Sequence, residues 1–157
     1  MDYNIHQEYM YRALDLAKQG LGKVSPNPMV GCVITKKGKI IGEGYHSSYG
    51  SNHAEKEAFA NCSEDPSEGS LYVTLEPCVH HGKTPPCING ILENGIRDVY
   101  VALKDPNPIV DGKGISALKQ SGVNVECGIL MEEATELNKG YLNWIENGIP
   151  FVIGKIA

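Results

Sequence analysis

His53, Glu55, Cys78 and Cys87 are the residues whose types and spacing can do chemistry. One imidazole and two thiolates make three tetrahedral ligands for zinc and leave a fourth position open, and an open position is the mark of a catalytic site. Residues two apart on a helix point about 200° apart, so His53 and Glu55 can both face one ion only if it sits off the helix N-terminus. Cys87 is placed in the same way, in the first turn of a helix announced by Pro85-Pro86, where free N–H groups and the helix dipole favour the thiolate. Two helix starts then converge on one cation, whose bound water becomes acidic. Glu55 lies beside that ion without being needed as a ligand and is placed to move protons.

Each of these residues also has a plainer role open to it. His53 can open a helix, Glu55 can be an acid favoured by the helix dipole, and Cys78 with Cys87 can be two buried thiols. A structural Cys₂His₂ site is a further alternative if His80 or His81 supplies the fourth ligand.

The elements that must position these groups follow from the apolar pattern. Ile5 to Gln19 has helical spacing with Gly20 as its stop. MVGCVIT and KIIGEGYH are β-rich runs joined by KKG, which predicts a hairpin. A helix is expected from His53 to Asn61, with Ser51 or Asn52 as N-cap. SLYVTL and RDVYVAL are buried strands, separated by the cysteine loop and a helix from about Pro85 to Asn94. GISALKQSG predicts a helix, VNVECGI a short strand, and MEEATELNKGYLNWIENG one long amphipathic helix. After the hairpin, strands alternate with helices, which predicts an α/β fold with a largely parallel sheet. The loops after SLYVTL and RDVYVAL lie at strand carboxyl ends, where such sheets form ligand crevices. Pro26-Asn27-Pro28 and Pro106-Asn107-Pro108 are two stiff loops, each able to hold an asparagine amide outward or to serve only as a rigid turn.

Composition bounds the partners. The chain has 157 residues, enough for one domain, with 41% hydrophobic and 21% charged residues. A net charge of −5 with 14 scattered Lys and Arg argues against nonspecific nucleic-acid binding and for a small-molecule ligand. The N-terminal stretch lacks the basic segment and apolar core of a signal peptide, and no run approaches membrane-spanning length, so a cytoplasmic protein is expected. Five cysteines at irregular spacing suit reduced thiols, with Cys32, Cys62 and Cys127 as small buried apolar residues.

His53-Ala54-Glu55 and Pro77-Cys78 match the His-x-Glu and Pro-Cys motifs of zinc nucleobase deaminases, with Cys87 following Cys78 by nine residues where that pattern has three. The longer loop EPCVHHGKTPPC, with SPNPMVGCVI, GYHSSYGSNHAE and ALKDPNPIVDGKG, resembles the riboflavin-biosynthesis pyrimidine deaminases over nearly the whole chain. The resemblance implies a cytidine deaminase-like α/β/α sandwich with a mixed, largely parallel sheet. It implies zinc-dependent hydrolytic removal of an amino group from 2,5-diamino-6-(5-phosphoribosylamino)pyrimidin-4-one, with one Zn²⁺ on His53, Cys78 and Cys87 and with Glu55 as proton shuttle. Asn27, His46, Ala54, His80, Lys83, Asp105 and Asn107 fall on family positions that line the substrate pocket. By donor and acceptor type, Lys83 suits a ring carbonyl or phosphate, and Asp105 and Asn107 suit ribosyl hydroxyls.

The resemblance also divides the chain into a deaminase domain over 1–149 and a segment, 150–157, like the start of an NADPH-dependent reductase domain. The chain is then either a separate deaminase or a piece cut at that boundary. No NADPH site is expected, since DGKG lacks the strand-GxGxxG-helix context. An oligomer, at least a dimer, is implied, with Leu142, Trp144, Ile145 and Phe151 as apolar candidates for its contacts. The competing readings are a deaminase of tRNA adenosine or another nucleoside on the same fold, a non-catalytic zinc-stabilised binding module, and a redox thiol protein, which would want a CxxC that the chain lacks.

Overall fold

Alternating and β-branched apolar runs build a five-stranded sheet in a computed structural model that describes residues 3–80, 85–152 and 154. The elements run α1 (Tyr3–Lys18), β1 (Gly31–Lys36), β2 (Lys39–Tyr45), α2 (Ala54–Ala60), β3 (Ser70–Leu75), α3 (Cys87–Glu93), β4 (Asp98–Leu103), α4 (Lys113–Gln120), β5 (Asn124–Cys127), α5 (Met131–Leu137) and α6 (Lys139–Asn147). The strand order is β2-β1-β3-β4-β5. β1 pairs antiparallel with β2 and with β3, whereas β3/β4 and β4/β5 are parallel, so the sheet is mixed and only its second half is parallel. No described helix is long and apolar enough to cross a membrane.

The hairpin forms as expected. Its turn residues Lys37 and Gly38 both have positive φ, 50° and 74°, the turn geometry whose twist matches that of paired strands. Strand alternation then sorts side chains to two faces. Cys32, Ile34, Leu71, Val73, Val99 and Val101 pack against Ala54 and Ala58 of α2, Ile91 of α3 and Leu118 of α4. Val33, Tyr72 and Ala102 face Met10, Ala13 and Leu14 of α1 and Ala134 of α5. Helices therefore cover both faces, the expected three-layer α/β/α sandwich.

This topology brings the site together. β1 runs opposite to β3, so the start of β1 and the end of β2 lie at the same edge as the carboxyl ends of β3 and β4. The segments before β1, after β2, after β3 and after β4 thus meet at one edge. The start of α2 joins them because glycine lets the helix approach the strand. A Cβ at Gly44 would lie 2.3 Å from Ala58 N and 2.4 Å from Ala54 O, both backbone atoms.

Several expectations are corrected. α2 begins at Ala54 with His53 as N-cap and no side-chain capping bond. Ser51 and Asn52 are engaged elsewhere, Ser51 Oγ donating to Ser48 O and Asn52 Nδ2 to Glu57 Oε1, each at 2.7 Å. The long C-terminal helix is two helices broken at Asn138, where φ is −105° and ψ is 17°. Cys32 is buried, but Cys62 is only partly covered and Cys127 is exposed, because β5 is an edge strand whose side chains no helix fully shields. Leu142 is buried within its own chain, whereas Trp144 and Phe151 are about half exposed.

Gly44→Ala tests the close approach of α2. The added methyl meets backbone rather than a movable side chain, so the variant should lose about 1–3 kcal/mol or more. Urea denaturation measures the loss, and an unchanged midpoint would contradict the packing described.

Candidate active site

Three of the predicted ligands lie together. The ligand atoms of His53, Cys78 and Cys87 all fall within 4.8 Å of one another. His53 Nδ1 stands 3.2 Å from Cys87 Sγ and 3.6 Å from Cys78 Sγ, so this nitrogen faces both sulfurs. The sequence supplies this arrangement by position: His53 caps α2, Cys87 is the first residue of α3, and Cys78 follows the β3 end by three residues. The Cys87 N–H points at Cys78 Sγ, 3.3 Å away.

The three groups perturb one another. Cys78 is held down to about 4, first by the hydrogen bond from the Cys87 thiol and further by His53 and the Cys87 N–H, against the opposing effect of burial. Cys87 moves in the opposite direction, because its proton is held by Cys78 and burial disfavours a second thiolate. His53 is raised, first by its hydrogen bond to Cys78. Two cysteine sulfurs and one imidazole nitrogen facing a common point are a soft, borderline donor set suited to zinc. The residues present therefore fit that metal. His80 is not part of the group, and His81 lies outside the described residues.

Glu55, only 4% exposed, is the second residue of α2, beside the cluster. Burial raises its carboxyl above the usual range, and the Cys78 thiolate raises it further, while His53 pulls it down. An acid in this setting takes and returns protons more readily than an exposed carboxylate.

A cleft of about 310 Å³ opens above the cluster and is lined by Asn27, His46, His53, Ala54, Glu55, Cys78, His80, Asp105 and Asn107. Lys83 lies outside the described residues. His46 is buried, with Nδ1 3.0 Å from Asn52 O and Nε2 3.1 Å from Asn27 Nδ2. A carbonyl can only accept, so Nδ1 carries the hydrogen and Nε2 accepts from the Asn27 amide. The Asn27 Oδ1 is thereby left as an acceptor for a ligand. Asn107 does double duty, lining the cleft while its Oδ1 accepts from the Ile109 N–H at 3.1 Å to close the turn.

Three residues that motif reasoning did not single out complete the site. Asn138 and Tyr141, just before and on α6, are treated below. The third, Glu76, is 4% exposed and accepts four backbone N–H bonds: from Gly114 at 2.9 Å and Ile115 at 3.1 Å on Oε1, and from Gly112 at 2.9 Å and Asp105 at 3.2 Å on Oε2. It thus ties the cysteine loop to the loop carrying Asp105. The available signal was an acid directly after the buried strand SLYVTL, since a carboxylate there must find several donors. Gly114 is required for the approach, because its Cβ would lie 2.2 Å from Pro77 O. Glu76→Gln places an amide against N–H groups that need acceptors. It should cost at least about 2 kcal/mol, read from urea unfolding, as two buried donors lose their partner; equal stability would show that the four bonds contribute little.

Comparison with known proteins agrees with this geometry. The cytidine and deoxycytidylate deaminase zinc-binding region matches residues 3–103. Riboflavin biosynthesis protein RibD of Actinobacillus pleuropneumoniae is 51% identical over 150 residues, covering 96% of this chain and 40% of that protein. The diaminohydroxyphosphoribosylamino-pyrimidine deaminase of Buchnera aphidicola subsp. Schizaphis graminum is 46% identical over 142 residues, covering 90% of this chain and 97% of that protein. The crystal structure of a diaminohydroxyphosphoribosylaminopyrimidine deaminase/5-amino-6-(5-phosphoribosylamino)uracil reductase from Thermotoga maritima superposes with a TM-score of 0.93 at 42% identity, covering 96% of this chain and 44% of that one. This chain thus spans less than half the length of the Actinobacillus and Thermotoga relatives and nearly the full length of the Buchnera deaminase. With the His-x-Glu helix start, the two thiols and the α/β/α sandwich in place, the chain belongs to the zinc-binding cytidine and deoxycytidylate deaminase family, in its diaminohydroxyphosphoribosylaminopyrimidine deaminase branch.

Proposed function

We propose that this chain hydrolyses the ring amino group of 2,5-diamino-6-(5-phosphoribosylamino)pyrimidin-4-one, giving the corresponding 5-amino-uracil and ammonia. The observation that carries this reading is the His53, Cys78 and Cys87 cluster beside buried Glu55, with His53, Glu55 and Cys78 lining the cleft. The names of the Buchnera and Thermotoga relatives support the choice of substrate.

His53, Cys78 and Cys87 would hold one zinc. When bound, zinc supplies the Lewis acidity that makes water nucleophilic at neutral pH. Glu55 then manages the protons. It accepts one proton from the attacking water as a carbon–oxygen bond forms and gives it to the ring nitrogen; it then takes the second proton from the hydroxyl so formed and passes it to the amino group, as the carbon–nitrogen bond breaks, the ring carbonyl forms and ammonia leaves. Its raised pKa suits a group that must be base and acid in one cycle.

Asn27 offers its amide oxygen to a ring N–H or amino group. Ala54 lines the cleft beside the cluster, where its main chain can meet the pyrimidine. His80, exposed at the cleft mouth, and Lys83 would meet the more polar parts of the substrate, with Lys83 at the ring carbonyl or phosphate. Asp105 and Asn107 would face the ribosyl hydroxyls. The reduction named for the Thermotoga relative would belong to the part of that protein which this chain does not match.

Two measurements test this reading. Cys78→Ser or Cys87→Ser should lose zinc and stability together, because the ligands join a strand-end loop to a helix start and metal binding is also folding energy; metal analysis finding zinc retained in both would refute the ligand set. Glu55→Gln should keep zinc and lose at least about 10³- to 10⁴-fold in ammonia release, since one acid–base group is typically worth 10²–10⁴ and this one serves several transfers. Turnover within tenfold of wild type at full zinc content would remove Glu55 from the mechanism.

A further inference from the structure

Asn138 and Tyr141, outside the family motifs, hold both proline-flanked loops of the cleft. Asn138, 2% exposed, accepts the Met29 N–H on Oδ1 and donates Nδ2–H to the Met29 carbonyl, both at 2.8 Å. Met29 directly follows Pro26-Asn27-Pro28. Three residues on, the Tyr141 hydroxyl lies 3.0 Å from Asp105 Oδ1 and 3.3 Å from Oδ2, and Asp105 directly precedes Pro106-Asn107-Pro108. One helix start therefore grips the two loops that carry Asn27, Asp105 and Asn107.

The Asp105 contact bears on ligand recognition. Asp105 is 6% exposed and lines the cleft. Its Oδ1 already takes the Asn107 N–H at 2.9 Å and the nearer Tyr141 contact, so Oδ2, left with the longer contact, keeps unused lone pairs. Burial pushes this carboxyl upward, while the Asn107 and Tyr141 bonds counter that and favour the acceptor form. Packing alone would not need the Tyr141 hydroxyl, since the neighbouring Leu142 supplies the buried apolar contact of α6.

We propose that Asn138 and Tyr141 are positioning residues that set the spacing of the two loops, and that Tyr141, by occupying Oδ1, presents Asp105 Oδ2 as the acceptor for a hydroxyl of the ligand's sugar. The identity of that sugar rests on the deaminase reading above; the clamp itself does not.

Tyr141→Phe removes one oxygen and keeps the ring. In the full zinc-loaded chain it should raise KM for the phosphoribosylaminopyrimidine about 5- to 10-fold, with kcat within about twofold and zinc content unchanged. On an Asp105→Asn background the same change should have almost no further effect, because the two residues act as one unit. Amide hydrogen exchange without ligand reads the clamp directly: Asn138→Ala should speed exchange at Met29 and Tyr141→Phe at Asn107, each about tenfold. A KM unchanged in Tyr141→Phe, or a penalty that multiplies independently of Asp105→Asn, would overturn the recognition role, and unchanged exchange in both variants would overturn the clamp. If wild type releases no ammonia from the pyrimidine while the exchange pattern appears, the functional reading fails and the clamp stands.

Discussion

The buried carboxylate of Glu76, with its four backbone N–H partners, is the constraint on which the arrangement of the cleft depends. It lies between the end of β3 and Pro77-Cys78, so the strand that enters the core also delivers a ligand-bearing loop. Its partners come from the Asp105 amide and from the segment that opens α4. An acid in such a place would be costly alone, but donors on both oxygens make it a joint between two loops that share no covalent proximity. Gly112 and Gly114 bring the backbone close enough, and a side chain at Gly114 would collide with Pro77. The candidate metal ligands and the residues lining the far side of the cleft are thereby parts of one framework.

Within that framework the charges are arranged around protons. Cys78, Cys87 and His53 face one another where a dication fits, and each group is perturbed chiefly by another member of the set. Glu55 stands outside the ligand set, raised by burial more than by any neighbour. In the proposed reaction the same enclosure that disfavours its charge would keep its proton transfers away from bulk solvent.

The C-terminal region shows a local preference giving way to tertiary demand. Amphipathic spacing through MEEATELNKGYLNWIENG favours one continuous helix, and Asn is only a mild disadvantage inside one. Asn138 leaves helical geometry because its amide satisfies both peptide groups of Met29, more than a hundred residues earlier in the chain. The break also redirects α6 so that Tyr141 reaches Asp105.

The sequence by itself determined the layer order, the hairpin and which metal-fitting and acidic residues gather in the cleft. Apolar period, turn residues and the His-x-Glu, Pro-Cys and helix-start Cys spacing are local properties, and each is written within a few residues. The edge at which the site assembles was also legible, since strand ends in an open α/β sheet define it. Tertiary structure alone decided that β1 runs antiparallel to β3, which brings Asn27 and His46 to the same edge as Cys78 and Asp105. It decided the use of Asn52 away from the helix cap, the exposure of Cys127 on an edge strand and the break at Asn138. It also decided the roles of Glu76 and Tyr141. Those residues act through partners 29 to 39 positions away, and a polar side chain's partner depends on which backbone groups the fold leaves without one, a property no short stretch of sequence contains.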